Sequence, residues 1–182
     1  MADDKLTGKM TQTYYGDGSV YEGDIYKDKF NGKGIRTYAD GTVYEGDFVE
    51  DRHHGKGKIT FPGGGVYEGD FHNANFHGTG TRTYTDGRVY SGDFVKGKRH
   101  GKGKITFPGG GIYAGDFRND KFHGKGIYTF ANFNEYEGDW EGGKPHGKGT
   151  FFFFAEGTVY DGDWTDGKFD SNEKHIRLFA KR

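Results

Sequence analysis

The chain has 182 residues, a formal net charge of −1, 35 glycines, 17 Phe, 13 Tyr and no cysteine, yet only 31% of it is hydrophobic. The near-zero charge excludes bulk electrostatic attraction to nucleic acid. The absence of cysteine excludes disulfides, which fits a cytosolic chain. So little aliphatic material cannot fill a thick core, and so many aromatic residues do not describe a disordered chain.

Taken in chain order, residues 1–7 read as a flexible N-terminus. The opening MADDKLTG has no apolar core and does not read as a signal peptide. Residues 8–170 read as a repeat array. The string Tyr-x-Gly-Asp begins at Tyr21, Tyr44, Tyr67, Tyr90, Tyr113, Tyr136 and Tyr160, at spacings of 23 residues five times and then 24. Ten positions after each of the first six Tyr stands Asn31, His54, His77, His100, His123 or His146, followed at once by Gly-x-Gly. Such regularity belongs to a stack in which each unit contacts only its neighbours.

Each repeat predicts a hairpin. In Tyr44-Glu-Gly-Asp-Phe48 the Tyr, Gly and Phe fall on one face of a strand and the acids on the other. A two-residue turn at Glu50-Asp51 predicts that Tyr44 faces Gly57, Glu45 faces Lys56 and Asp47 faces His54. Each ring would then lie over a glycine. The odd period requires the second connection to hold an odd number of residues if every Tyr is to share a face. Ala39-Asp40-Gly41, Pro62-Gly63-Gly64, Thr85-Asp86-Gly87 and Pro108-Gly109-Gly110 suit three-residue loops: a type I turn, then a left-handed residue. A second, 46-residue periodicity runs beneath the first. Nine residues after each Tyr the chain reads Phe30, His53, Phe76, Arg99, Phe122, Pro145, Phe169, and fifteen after the first four it reads Arg36, Ile59, Arg82, Ile105. Duplication of a two-hairpin unit explains it in the simplest way.

Further along, Gly142 to Lys148 matches a phosphate-binding loop as far as the lysine. Gly149 then stands where Ser or Thr must hold Mg²⁺, and the segment falls on a hairpin turn. The His row cannot share one metal if hairpins stand ~10 Å apart; each His is expected to pair with the facing Asp. The Asp row from Asp24 to Asp163 is no catalytic dyad, and no nucleophile stands with a base. The chain is expected to be no enzyme and to hold no cofactor and no metal. Phe151-Phe-Phe-Phe154 coincides with the 24-residue spacing, so the loop lengthens or a bulge re-aims one Phe. With Ala155 it is the longest apolar stretch, far too short to span a bilayer. Residues 171–182, with Ile176 and Leu178 alternating with His175 and Arg177, read as a C-terminal cap on the stack or a segment docking on another subunit.

The wording Y-E-G-D-F…H-G-K-G…D-G-x-V-Y resembles the MORN repeat (membrane occupation and recognition nexus) from about Gly8 to Phe169. The resemblance implies an all-β fold, an elongated single-layer meander of about seven stacked β-hairpins forming a solenoid-like twisted sheet. It also implies a non-enzymatic role in tethering proteins or membranes. The family favours Asn-Gly in the hairpin turn, where this chain has Lys27-Asp28, Glu50-Asp51, Asn73-Ala74 or Asn119-Asp120. Phe133 stands where the second turn wants Gly. The seventh repeat lacks Gly-x-Gly, so it is a half-hairpin or a cap.

What remains is a surface. Tyr21, Tyr44, Tyr67, Tyr90, Tyr113, Tyr136 and Tyr160 are expected to be structural. Two readings of the rest stay open: a thin aromatic core, or an aromatic groove filled by a partner helix or strand. The candidates for partner contact are Phe94, Phe117, Phe122, Trp140, Phe152, Phe154, Trp164 and Phe169, with Phe117 to Phe179 as the main docking region. The expected function is a scaffold or adaptor for protein partners, with self-association open. Chains resembling this one are often parts of cilia, flagella or other cytoskeletal assemblies, so a cytoplasmic, cytoskeletal or ciliary place is expected. A peripheral module binding anionic phospholipid and a regulatory subunit of an enzyme are the alternatives. Membrane contact is not favoured, because an acid faces most of Lys33, Lys56, Lys102, Lys125 and Lys148.

Overall fold

Aromatic and polar residues alternate along this chain and are interrupted at short intervals by turn residues, and strands form wherever they alternate. The computed structural model describes residues 10–170 and 175–178. The stretch 1–7 expected to be flexible lies outside these, as do 171–174 and 179–182 of the C-terminal segment. One compact unit takes in the residues up to Thr85 together with Phe94–Gly97. It contains β1 (Met10–Tyr14), β2 (Val20–Tyr26), β3 (Lys29–Thr37), β4 (Val43–Val49), β5 (Arg52–Thr60), β6 (Val66–His72) and β7 (Asn75–Thr83), each antiparallel to the next. β8 (Val89–Val95) is divided between the units. The second unit continues with β9 (Lys98–Thr106), β10 (Ile112–Arg118), β11 (Lys121–Thr129), β12 (Glu135–Glu141), β13 (Lys144–Phe153) and β14 (Thr158–Thr165), again antiparallel in succession. β14 also pairs with β15 (Lys168–Phe169) and with β16 (His175–Leu178), where Ile176 opposes Tyr160. No helix occurs among the described residues.

The first connection of each hairpin is the predicted two-residue turn, with positive φ at both residues. Lys27 and Asp28 have φ of 49° and 60°, Glu50 and Asp51 48° and 64°, and Asn119 and Asp120 48° and 68°. This primed turn matches the twist of the flanking strands, which outweighs the poor suitability of several of these residues. The turns are also tied to the hairpin before them. The Asp51 N–H donates to the Phe30 carbonyl (3.1 Å), and the Phe30 N–H donates to the Asp51 carboxylate (2.8 Å). The second connection is the predicted three-residue loop. At 39–41 the Tyr38 N–H donates to the Thr42 carbonyl (2.8 Å), and Gly41 has φ +85°. At Pro62-Gly63-Gly64 both glycines have positive φ, +85° and +97°, so the turn is of type II rather than the expected type I.

The predicted register holds only near the turn. Asp47 faces His54, but Gly46 then faces Gly57 and Tyr44 faces Ile59 instead of Gly57. Glu45 likewise faces Lys58, not Lys56. A register shift between Gly46 and Asp47 inserts Gly55 and Lys56, and the same shift recurs between Gly69 and Asp70 and between Gly115 and Asp116. Its cause is local. Gly55 has φ +56°, and the Asp47 carboxylate accepts the Lys56 N–H that the shift frees (3.0 Å). A slip of two residues leaves every side chain on its predicted face.

The extra residue of the 24-residue spacing is absorbed in the loop. Phe151, Phe152 and Phe153 pair with Tyr160, Val159 and Thr158, and residues 154–157 form a loop closed by the Gly157 N–H donating to the Phe153 carbonyl (2.9 Å). Phe151 and Phe153 therefore stay on the aromatic face.

The glycines under the rings are testable directly. A Cβ on Gly57 would stand 2.5 Å from the Tyr44 hydroxyl and 2.7 Å from its Cε2, whereas one on Gly109 meets nothing within 4 Å. In urea unfolding, Gly57→Ala is expected to lose about 2–3 kcal/mol, and Gly109→Ala to be neutral or slightly stabilising.

Candidate functional site

The aromatic face is built in layers. Each Tyr ring from Tyr21 to Tyr136 lies on a pair of glycines, as Tyr44 does on Gly46 and Gly57. Its hydroxyl donates to the carbonyl of the Asp three residues on: Tyr44 to Asp47, Tyr67 to Asp70, Tyr113 to Asp116, all 2.8 Å. The six Tyr from Tyr21 to Tyr136 are essentially fully buried. Burial, reinforced by the Asp24 charge, pushes the Tyr21 hydroxyl pKa up to about 12, and the same causes raise Tyr44, Tyr67, Tyr113 and Tyr136. Tyr160, in the last repeat, is half-buried and stacks on Phe169 (5.4 Å).

The residue nine positions on covers the outer side of the ring. Phe30 stacks on Tyr21 at 3.7 Å, His53 on Tyr44 at 3.6 Å, Phe76 on Tyr67 at 3.8 Å and Phe122 on Tyr113 at 3.7 Å. The residue four positions on stands edge-on between successive Tyr rings, as Phe71 does between Tyr44 and Tyr67. This edge-on packing accounts for Phe94, Phe117, Trp140 and Trp164. All four are buried, and the indole N–H groups donate to the Gly126 and Gly149 carbonyls (3.0 and 2.9 Å). These four belong to the core, none more than 8% exposed.

The 46-residue alternation has a packing reason. Where the covering plate is Phe30 or Phe76, the position fifteen after the Tyr is Arg: the Arg36 guanidinium lies over Phe30 and Tyr38 (5.6 and 4.6 Å), and Arg82 over Phe76 (5.5 Å). Where the plate is His53 or Arg99, that position is buried Ile59 or Ile105. Each of these four hairpins thus carries one apolar and one polar group over its Tyr.

The rings left partly exposed concentrate in the second unit. There Tyr128 contacts Phe130 (4.6 Å), Phe130 contacts Phe151 (5.5 Å), Phe151 contacts Phe153 (4.5 Å), and Phe153 contacts Tyr160 (4.8 Å). Phe122 and Phe169 are half-buried plates within this row. Phe152 points to the other face, opposite Glu135. Phe154 is 71% exposed, with its ring 6.1 Å from that of Phe133, itself 70% exposed. Phe130, Phe133, Tyr128, Phe151 and Phe153 were not among the individually named candidates, although all lie within the expected docking region from Phe117 to Phe179. Phe133 carried a readable signal, a bulky residue in a turn that wants glycine. It sits at φ +66°.

The opposite face is an ion-pair ladder. Lys33 reaches Asp47, Lys56 Asp70, Lys102 Asp116, Lys125 Asp139 and Lys148 Asp163, each at 2.6 Å. Lys102, with the Lys125 N–H, holds the Asp116 carboxyl below its ordinary pKa against the opposing effect of desolvation, and Lys56 and Thr79 do the same for Asp70. The expected Asp–His pairing is therefore replaced. His54, His77 and His123 do oppose Asp47, Asp70 and Asp116, but those carboxylates take a backbone N–H and the lysine of the preceding hairpin. His54 and His72 rings approach to 5.0 Å, and His72 and His77 to 5.5 Å, closer than hairpin spacing implies because His72 lies on the intervening strand. No group of three His, Asp or Glu among the described residues is placed to hold a metal ion. Gly142 and Gly143 form a primed hairpin turn with φ of 60° and 93°, not a phosphate-binding loop before a helix. No helix among the described residues is long and apolar enough to cross a membrane.

The MORN repeat family model matches residues 21–43, 44–66, 67–87, 90–112, 113–135, 136–154 and 160–171. No curated protein sequence matches at a significant level. Among solved structures, the chain is similar to the TCP10 domain of Danio rerio CPAP in complex with a peptide of Danio rerio STIL, at 12% identity and TM-score 0.49 over 94% of this chain and 73% of that one. It is also similar to the SAS-4 (dCPAP) TCP domain of Drosophila melanogaster in complex with a proline-rich motif of Ana2, at 16% identity and TM-score 0.41 over 94% and 90%.

Buried His53, hydrogen-bonded to the Tyr38 hydroxyl at 2.8 Å, gives the face a pH signature. Burial, with a smaller contribution from Arg36, lowers its pKa to about 4 from an ordinary 6.5. Between those values the unfolded chain binds the proton and the folded chain does not, so stability present above pH 6.5 is lost as the pH falls toward 4. His53→Phe is expected to remove about 2 kcal/mol of the stability lost between pH 7.5 and 5, measured by urea unfolding at both values.

Proposed function

This chain belongs to the MORN-repeat family, and on that premise we propose that it is a non-catalytic scaffold whose second unit presents its aromatic face to a protein partner. The observation that carries the proposal is Phe133. A non-glycine residue in the left-handed region costs about 1 kcal/mol or more, and among the described residues Phe133 is the one aromatic that adopts it. Here the strain holds a 70%-exposed ring beside the equally exposed Phe154, at the margin of the row from Tyr128 to Phe153. Aromatic clusters of this kind are where binding energy concentrates at interfaces. A helix or an extended strand could lie along such a row.

The family resemblance supports placing the assembly in the cytoplasm, within a ciliary, flagellar or other cytoskeletal structure. The lipid-binding alternative is disfavoured by the ladder. Five lysines that would meet anionic headgroups are held at 2.6 Å by carboxylates.

Phe133→Gly separates binding from folding. It is expected to raise stability by about 1 kcal/mol, by relieving the turn, and to weaken retention of partners captured from source cells by about tenfold or more. Increased stability with unchanged capture would remove this face from the interface.

A further inference from the structure

Two arginines occupy equivalent places 46 residues apart in the first unit, and they differ in their surroundings. Arg36 lies over Phe30 and Tyr38, and its Nη2 donates to the Asp17 carboxylate and to the Ser19 hydroxyl, both at 3.1 Å. Arg82 lies over Phe76 and Tyr84 (both 5.5 Å) and over Phe61 at 4.0 Å. The positions matching Asp17 and Ser19 are Gly63 and Gly65. The side chains that neutralise Arg36 are therefore missing opposite Arg82. A Cβ added to Gly65 would stand 3.9 Å from Arg82 Nη2, an ordinary contact, so sterics do not forbid a side chain there. Among the described residues Arg82 has no carboxylate partner; one nitrogen of each guanidinium, Arg36 Nε and Arg82 Nη1, is buried without an acceptor. A third cation on this face, Arg99, is paired with Asp120 at 3.2 Å.

We propose that Arg82 is a recognition point for a carboxylate of a partner protein, a Glu or Asp flanked by apolar side chains that lie on Phe61 and Tyr84. Three aromatic rings hold the guanidinium flat and partly desolvated, and burial lowers its pKa. A planar fork presented this way is suited to a carboxylate, and the interaction is strengthened by exclusion of water. The incoming group would do for Arg82 what Asp17 does for Arg36. The proposal rests on the reading of the aromatic face as a protein-docking surface, and concerns the first unit by itself.

The test uses the full chain and three capped peptides, acetyl-Leu-Glu-Leu-amide, its Gln counterpart and its phosphoserine counterpart, followed by the arginine side-chain N–H signals in NMR titrations. The Glu peptide is expected to shift the Arg82 signal saturably and to bind about tenfold tighter than the Gln peptide. Arg82→Met, which keeps the aliphatic stem, should abolish that preference, and Arg82→Lys should retain part of it. Asp17→Gly should create a second, Glu-selective response at Arg36. Equal binding of the Glu and Gln peptides overturns the carboxylate site while leaving the aromatic face a docking surface. Binding of the phosphoserine peptide alone overturns it in favour of a phosphoryl group. A silent Arg36 in Asp17→Gly, or no saturable shift at Arg82, also overturns it.

Discussion

A tyrosine ring lying flat on two glycines is the contact on which the rest of this protein depends. A hairpin of this size has no second layer to pack against, so it must find its buried surface within its own thickness. Removing the side chains from two facing strand positions makes a hollow one ring deep, and Tyr44 fills the one between Gly46 and Gly57. The other members of the repeat follow from that choice. The Tyr hydroxyl, carried under cover, needs an acceptor and finds the Asp47 carbonyl. The Asp47 carboxylate, on the other face, takes the backbone N–H freed by the register shift and the Lys33 ammonium of the hairpin before. The left-handed Gly55 makes that shift possible. Each letter of Tyr-x-Gly-Asp and Gly-x-Gly thus answers a separate physical demand, which is why the motif tolerates so little variation along this chain.

Much of this was legible in the sequence, and the parts that were not share a cause. Turn lengths and side-chain faces follow from counting, since alternation and an odd period leave one arrangement. The register beyond the turn could not be counted, because the pairing of Tyr44 with Ile59 depends on a glycine adopting positive φ within a strand. Composition does not reveal whether a glycine in a strand is there for its conformation or for its emptiness, and Gly55 and Gly57 serve those two purposes within three residues. The tryptophans misled for a related reason. Trp140 reads as a binding residue by type, yet it occupies the same edge-on place as Phe71, and its indole N–H finds a backbone carbonyl. The residue on which the proposed docking rests, Phe133, is one that breaks a local rule.

Core and surface are therefore separated by position within the repeat. The six Tyr from Tyr21 to Tyr136 and the Phe or Trp four places after a Tyr are committed to the core. The plate nine places on and the residues fifteen and seventeen places on vary, and they set the character of each hairpin's outer surface: an ion pair at Arg36, a cation at Arg82, aromatic rings at Tyr128, Phe151 and Phe153. A repeat with an invariant inner layer can change its outer layer at small cost in stability, and this is the property a scaffold needs.

Hydrogen exchange of the chain alone and with its captured partner tests this account most directly, because it reads every hairpin at once. The account predicts that binding slows exchange in the segments around 128–134 and 151–157 and leaves the amides beneath the lysine–aspartate ladder, such as those of Lys56 and Lys125, unchanged. Protection confined to the ladder face, with the aromatic loops unaffected, would contradict it.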